Sequence, residues 1–302
     1  MEASWHIHEL HAHVNGHHIL RGAAATFAPG TITLVIGHNG AGKSTFLETM
    51  AGLRYPSSGS ILLGEQSLWR GKKLNRLLLL HAGVAVQQSA SQWFLPTVEA
   101  EFRYTLKPYR AENGVDAGRQ AMASALSTVG LPVELLSQDP RTLSGGQQKR
   151  LALAMLLVTK VRWLLLDEPT AGLDMDGTRQ LCRALEAHRA AGGGAVIVTH
   201  DLEALLPLAD AVIVIDNGVA SATMTPSAWA AQAVGGGAEA SSVGATCSGA
   251  EPSGHVGASA GSATARPRVL PLPLQAAAQL RAAGFAVPAG APWAPPQALA
   301  AA

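Results

Sequence analysis

Gly37-His38-Asn39-Gly40-Ala41-Gly42-Lys43-Ser44 is the stretch from which the rest of this 302-residue chain is read. It fits G-x-x-x-x-G-K-[ST], follows an aliphatic run at residues 31–36 and opens a segment with helical spacing to about Leu53. The glycines allow the backbone to wrap so that amide hydrogens point at the β- and γ-phosphates of a nucleotide. Lys43 supplies a point charge, and Ser44, followed by Thr45, offers a hydroxyl to Mg²⁺.

Working outward, further aliphatic runs at 161–166, 195–199 and 211–215 alternate with longer helical stretches. That pattern predicts an α/β domain with a largely parallel sheet. The runs at 31–36, 161–166 and 195–199 end at residues suited to phosphate chemistry, and ligands of open α/β sheets sit beyond the carboxyl ends of strands. Residues 163–168 read Trp-Leu-Leu-Leu-Asp-Glu, an apolar strand ending in two carboxylates. A carboxylate at the tip of a buried strand is costly without a cation or hydrogen bonds. Asp167 is therefore placed to hold Mg²⁺ through water, and Glu168 is the candidate base for an attacking water.

Composition narrows the function classes. Charged residues make up 14% of the chain against about 25% in an average soluble protein, and the net charge is +1. Without an excess of Lys and Arg there is no broad basic face for a polyanion, so no nucleic-acid partner is expected. The mean hydropathy of +0.18 raises the question of a membrane span. The apolar stretches are cut short, by His81 within 77–86 and by Lys160 and Arg162 within 151–166, so the chain reads as soluble. Residues 1–10 have no basic start followed by an apolar stretch, which argues against a secretory signal. Cys182 and Cys247 fit a reducing compartment. After Asn217 the charged residues are only Glu239, Glu251, Arg266, Arg268 and Arg281. The reading divides the chain into a domain at 1–230, a flexible Gly/Ala/Ser linker at 231–265 and a Pro-rich extension at 266–302 with one short helical stretch.

Leu143-Ser144-Gly145-Gly146-Gln147-Gln148-Lys149-Arg150 precedes Asp167 and begins a helix expected to run to about Thr159. A serine and two glycines opening a helix make a second anion-binding N-terminus on the same chain. With the phosphate loop, the run Asp167–Asp174 (DEPTAGLD), a glutamine at Gln87 and a histidine at His200, the sequence resembles the ATP-binding cassette (ABC) ATPases over roughly residues 5–230. That resemblance implies a P-loop NTPase fold with a helical subdomain at about 88–150 that carries the signature. It also implies a dimer, with itself or with a related ATPase, in which Ser144, Gly145, Gly146 and Gln147 face the ATP of the other copy. By the same resemblance Glu168 activates water, His200 contacts the γ-phosphate, Gln87 touches Mg²⁺ and water while linking the site to a partner, and Asp174 bridges the halves. Gln88 is adjacent to Gln87, and either could face the site.

One stretch departs from the family pattern. Where an aromatic ring usually stacks on adenine, this chain reads His11-Ala12-His13-Val14-Asn15-Gly16, which leaves His13 as the available ring and the choice between ATP and GTP open. Six of the 11 histidines fall between His6 and His18, and Trp5-His6-Ile7-His8 alternates as a solvated strand face does, in preference to a metal site.

Residues 87–99, and the tail through Leu270-Pro271-Leu272-Pro273 to Phe285, are similar to the energy-coupling factor (ECF) and cobalt–nickel importer group. That likeness implies a transmembrane scaffold subunit, a separate substrate-capture membrane subunit and a place on the cytoplasmic face of the membrane. Another importer or exporter subgroup is the alternative. A genome-maintenance ATPase would need a long coiled coil between Lys43 and Ser144, and a translation factor would need two cassettes.

Overall fold

Ile32–Ile36, Trp163–Asp167 and Gly194–Val198 are buried along their whole lengths, as strands covered on both faces must be. The computed structural model describes residues 3–86, 93–109 and 118–235. Within them the strands are β1 (Trp5–Val14), β2 (His17–Phe27), β3 (Ile32–Ile36), β4 (Ser58–Leu63), β5 (Gln66–Ser67), a small hairpin of β6 (Trp69–Arg70) and β7 (Lys73–Leu74), β8 (Ala82–Ala85), β9 (Trp163–Asp167), β10 (Gly194–Val198), β11 (Ala211–Asp216) and β12 (Val219–Ala220).

The main sheet has the order β12-β11-β3-β10-β9-β8. All neighbours are parallel except β12, which returns antiparallel to β11. Asn217 and Gly218 carry φ of 49° and 81° in the turn between them, the left-handed pair that a two-residue hairpin requires. β10 lies between β3 and β9 with Val198 opposite both Val35 and Asp167. The carboxyl ends of three strands distant in sequence therefore reach one edge together.

A second, antiparallel sheet has the order β2-β1-β4-β5. In β1, Trp5, Ile7, Leu10 and Ala12 are buried while His6 and His8 point outward, as the alternation predicts. The phase shifts between Ile7 and Leu10 because Glu9 adopts φ 43° in a bulge. These side chains join Phe27, Phe46, Leu47, Met50 and Trp163 in one core between the sheets and the helix that follows the phosphate loop. That helix spans Lys43–Met50 and stops short of Leu53. Gly52 takes φ 72°, its N–H bonds the Thr49 carbonyl, and Leu53 N–H bonds the Glu48 carbonyl, a paired closure that terminates the helix.

Between β8 and β9 lie helices Val98–Leu106 and Arg119–Thr128, two short 3₁₀ turns, and the signature helix Gly145–Val158, capped at its end by Thr159. Helix Met175–Ala190 follows β9. A second unit begins at Ser227, and its described part is within helix Pro226–Gly235. The rest of the expected linker and the whole of 266–302 lie outside the described residues. Among the described residues no helix is long and apolar enough to cross a membrane.

His188, on Met175–Ala190, donates from Nε2 to the Gly194 carbonyl at 3.3 Å, and burial pushes its pKa below 6.5 although its backbone hydrogen bonds pull the other way. The folded state thus keeps His188 neutral where the unfolded chain takes up a proton, so stability is lost as pH falls through about 6.5, by at most about 1.4 kcal/mol per pH unit. Urea unfolding at pH 7.5 and 5.5 should show this loss in the native chain and a smaller one in His188→Gln. An equal loss in both would place the effect elsewhere.

Candidate active site

The phosphate loop leaves β3 at Gly37, which adopts φ 152° and lies so close to β11 that an added Cβ would meet the Ile215 carbonyl oxygen at 2.1 Å. Only glycine fits there. Behind the loop, the Asp216–Gly218 turn acts as a brace: Gly218 N–H bonds the Ala41 carbonyl at 3.0 Å, and His38 Nε2 lies 3.1 Å from Asp216 Oδ1. The other nitrogen of His38, Nδ1, donates to the Asn39 carbonyl at 2.7 Å. The sequence showed Asp216-Asn217-Gly218 only as a turn, since nothing in its composition says what the turn leans on. Lys43 is buried and donates to the Gly37 and His38 carbonyls, both at 3.0 Å, so its ammonium lies across the loop where phosphate oxygens would sit.

Asp167 ends β9 at 7% exposure, and its Oδ1 has no hydrogen-bond partner. Burial pushes its carboxyl above the usual range, and the charges of Glu168 and Glu48 add to this; a hydrogen bond from the Ser44 hydroxyl and the Lys43 charge pull it down. A buried, orphaned carboxylate oxygen beside a serine hydroxyl is a fitting donor set for a hard divalent cation such as Mg²⁺. The residues thus fit the metal that the sequence implies.

Glu168 turns sharply out of the strand at φ 50°, a conformation that costs a non-glycine residue about 1–2 kcal/mol. Its N–H bonds the Val198 carbonyl at 2.8 Å. Its carboxylate is gripped by His200, with Oε1 2.8 Å from Nδ1 and Oε2 accepting from the His200 N–H at 3.3 Å. His200 is held in turn because Thr199 N–H bonds the Val35 carbonyl at 3.3 Å, and Thr199 Oγ1 accepts from Asp201 N–H at 3.0 Å. The structure therefore unites the phosphate loop, Asp167, Glu168 and His200 at one sheet edge.

The signature stands apart. Ser144 Oγ accepts from Gln147 N–H at 3.3 Å while Gln147 Oε1 accepts from Ser144 N–H at 2.9 Å, a reciprocal cap on Gly145–Val158. Among the described residues, no hydrogen bond or ion pair links Ser144–Gln147 to residues 37–45. Asp174 caps Met175–Ala190 through Gly177 N–H at 2.7 Å, a local role signalled by an Asp at a helix start. His13 stacks on His18 with ring centroids 4.5 Å apart and planes at 7°, and its Nδ1 lies 3.2 Å from Ser57 Oγ. Among the described residues no group of three or more His, Cys, Asp or Glu is placed to hold a metal ion. Gln87 and Gln88 lie outside the described residues.

The family model "ABC transporter" matches residues 20–171, half of the chain. This chain belongs to the ABC transporter family. Its α/β architecture is accordingly the ABC-type P-loop NTPase fold. It is 37% identical over 196 residues to the energy-coupling factor transporter ATP-binding protein EcfA2 of Bacillus cereus, covering 64% of this chain and 66% of that protein, just under two thirds of its length. The EcfA2 of Lactiplantibacillus plantarum is 38% identical over 205 residues, 67% of this chain and 68% of that one. Among solved structures, CbiO1 of Clostridium perfringens, part of the ABC transporter complex CbiONQ, superposes with a TM-score of 0.64 and 28% identity over 77% of this ABC chain and 92% of its own. The ADP conformation of MJ1267, an ATP-binding cassette of an ABC transporter, shares the fold with a TM-score of 0.61 at 20% identity, over 74% of this chain and 92% of that one.

Because the Asp167 carboxylate is buried without a full set of partners, neutralising it should stabilise the cassette when nucleotide and divalent cations are absent. Asp167→Asn in EDTA at pH 7.5 is expected to raise the Tm by about 2 °C, read by differential scanning fluorimetry. A lower Tm would contradict this account of the site.

Proposed function

We propose that this chain is the ATP-binding and ATP-hydrolysing subunit of an ABC transporter of the energy-coupling factor type, an importer. The observation that carries the reading is the convergence of Lys43, Asp167, Glu168 and His200 at one sheet edge, in a chain 35–38% identical to EcfA2 proteins. In this reading the amides of residues 37–45 cradle the phosphates of ATP. Lys43 exchanges its two carbonyl contacts for phosphate oxygens. Ser44 and Asp167 would hold Mg²⁺, with Gln87 as a further ligand by family resemblance, and the metal would supply charge neutralisation. Glu168 orients a water and accepts its proton as the water oxygen attacks the γ-phosphorus. The bond to the bridging oxygen of ADP breaks, and ADP and phosphate leave. His200, already gripping Glu168, keeps that carboxylate aimed and reaches the γ-phosphate.

A signature separate from its own phosphate loop supports a dimer, homo- or heteromeric, in which Ser144–Gln147 present a helix N-terminus to the nucleotide of the other copy and Asp174 lies between the halves. The chain would work at the cytoplasmic face of the membrane, driving a transmembrane scaffold subunit beside a substrate-capture subunit, with no nucleic acid involved. Within it, residues 1–230 form the motor, 231–265 a linker and 266–302 an extension that meets another subunit.

Glu168→Gln should bind ATP with an affinity within about threefold of native while turnover drops by at least about 10²-fold. Native turnover in this variant would remove Glu168 from the chemistry. Lys43→Ala should instead abolish ATP binding itself, seen in an equilibrium titration with a fluorescent ATP analogue. Affinity purification from membranes is expected to recover a small transmembrane scaffold and a substrate-capture protein. Conventional permeases with an extracytoplasmic binding protein would place the chain in another importer subgroup.

A further inference from the structure

Three consecutive side chains near the start of the signature helix fan out to three different segments. Gln148 Oε1 accepts from Trp93 Nε1 at 3.0 Å, in the segment that leads into helix Val98–Leu106. Arg150 Nη1 donates to the Gly130 carbonyl at 3.2 Å. Between them, Lys149 Nζ donates to the Ala171 carbonyl, in the middle of the loop from Glu168 to Asp174. Successive residues on a helix are about 100° apart, so this one turn serves as a junction for all three segments.

The Lys149 contact is the one that reaches the chemistry. The loop it grasps is tightly wound: Ala171 N–H bonds the Glu168 carbonyl at 3.2 Å, and Leu173 N–H bonds the Thr170 carbonyl at 3.0 Å. At its two ends stand the left-handed Glu168 and the helix-capping Asp174. Lys149 lines a cavity of about 70 Å³ together with Asp167, Glu168, Pro169 and Ala171. Its ammonium has three donors, yet its hydrogen bond is to a backbone carbonyl, and it forms no ion pair among the described residues. A lysine spent on a carbonyl, beside two carboxylates, holds backbone position in preference to neutralising charge.

We propose that Lys149 is a positioning residue for the hydrolytic step: it ties the signature helix to the loop carrying Glu168 and Asp174, so that engagement of Ser144 at a nucleotide is transmitted to the placement of the Glu168 carboxylate. The link is short and stiff. Ser144 and Lys149 belong to one helix whose first turn is locked by the Ser144–Gln147 cap. Glu168 must meet its water within a fraction of an ångström, and a misplacement of about 1 Å can cost about 10²-fold in rate. Lys149 itself touches neither phosphate nor water in this scheme.

The proposal rests on the ATPase reading, and the experiment separates the two. Steady-state hydrolysis, ATP affinity and thermal unfolding are measured for the native chain, Lys149→Met and Lys149→Arg. Lys149→Met should lose at least about tenfold in kcat while KM and ATP affinity stay within about twofold and Tm within about 2 °C. Lys149→Arg, whose guanidinium reaches the same carbonyl, should recover at least half of the native kcat. Native kcat in Lys149→Met overturns the proposal. So does a loss of rate accompanied by a large fall in Tm that Lys149→Arg does not restore, because that would make Lys149 a stability residue alone. Absence of ATP hydrolysis by the native chain would instead overturn the function reading itself.

Discussion

The parallel pairing of β10 with β3 on one side and β9 on the other is the constraint on which the site depends. Val198 opposite both Val35 and Asp167 means that the residues just beyond, in three loops, leave the sheet at one level. A slip of one residue would turn every side chain of a strand to the opposite face and carry Asp167 with it. Full burial of all three strands forbids that slip, since hydrophobic burial at about 25 cal/mol per Å² acts on every residue of the register. The chemistry at the edge is therefore stabilised by contacts far from it.

That edge concentrates unfavourable terms. Asp167 is buried with an orphaned oxygen, Glu168 holds a left-handed backbone, and Lys43 folds onto two carbonyls of its own loop. The arrangements at Lys43 and Asp167 each leave a group ready to gain a stronger partner. Lys43 can give up carbonyls for phosphate, and Asp167 can gain a cation. Glu168 is the exception, since His200 already grips its carboxylate from two positions and so limits where it can point. Strain at Glu168 is sustained by the Val198 carbonyl and by the His200 contacts, which belong to the neighbouring strand and its loop.

Much of the site was legible in the chain because its residues are short-range patterns with local physics. A glycine-rich loop between an aliphatic strand and a helix, a strand ending in Asp-Glu, and a serine capping a helix each declare themselves within about ten residues. The contacts that hold these pieces in place were not legible. Nothing near Asp216 says that it pairs with His38, and nothing near Lys149 says that its ammonium ends on Ala171. The helix after the phosphate loop ended at Met50 because Gly52, which hydrophobic spacing alone underweighted, closes it. His13, free in the sequence to meet an adenine ring, is stacked on His18, its direct partner across the β1–β2 pair.

The sequence by itself determined the class of fold and the family, and it singled out the candidate residues for phosphate and cation binding, because these follow from periodicity and from motifs whose chemistry is local. Only the tertiary structure decided which of those residues meet, what orients them and where the signature helix connects. Those outcomes depend on strand order and on long-range contacts, such as Val198 with Asp167, that no short window of sequence contains. A motif states what a residue could do; the register of the sheet decides beside what it does it.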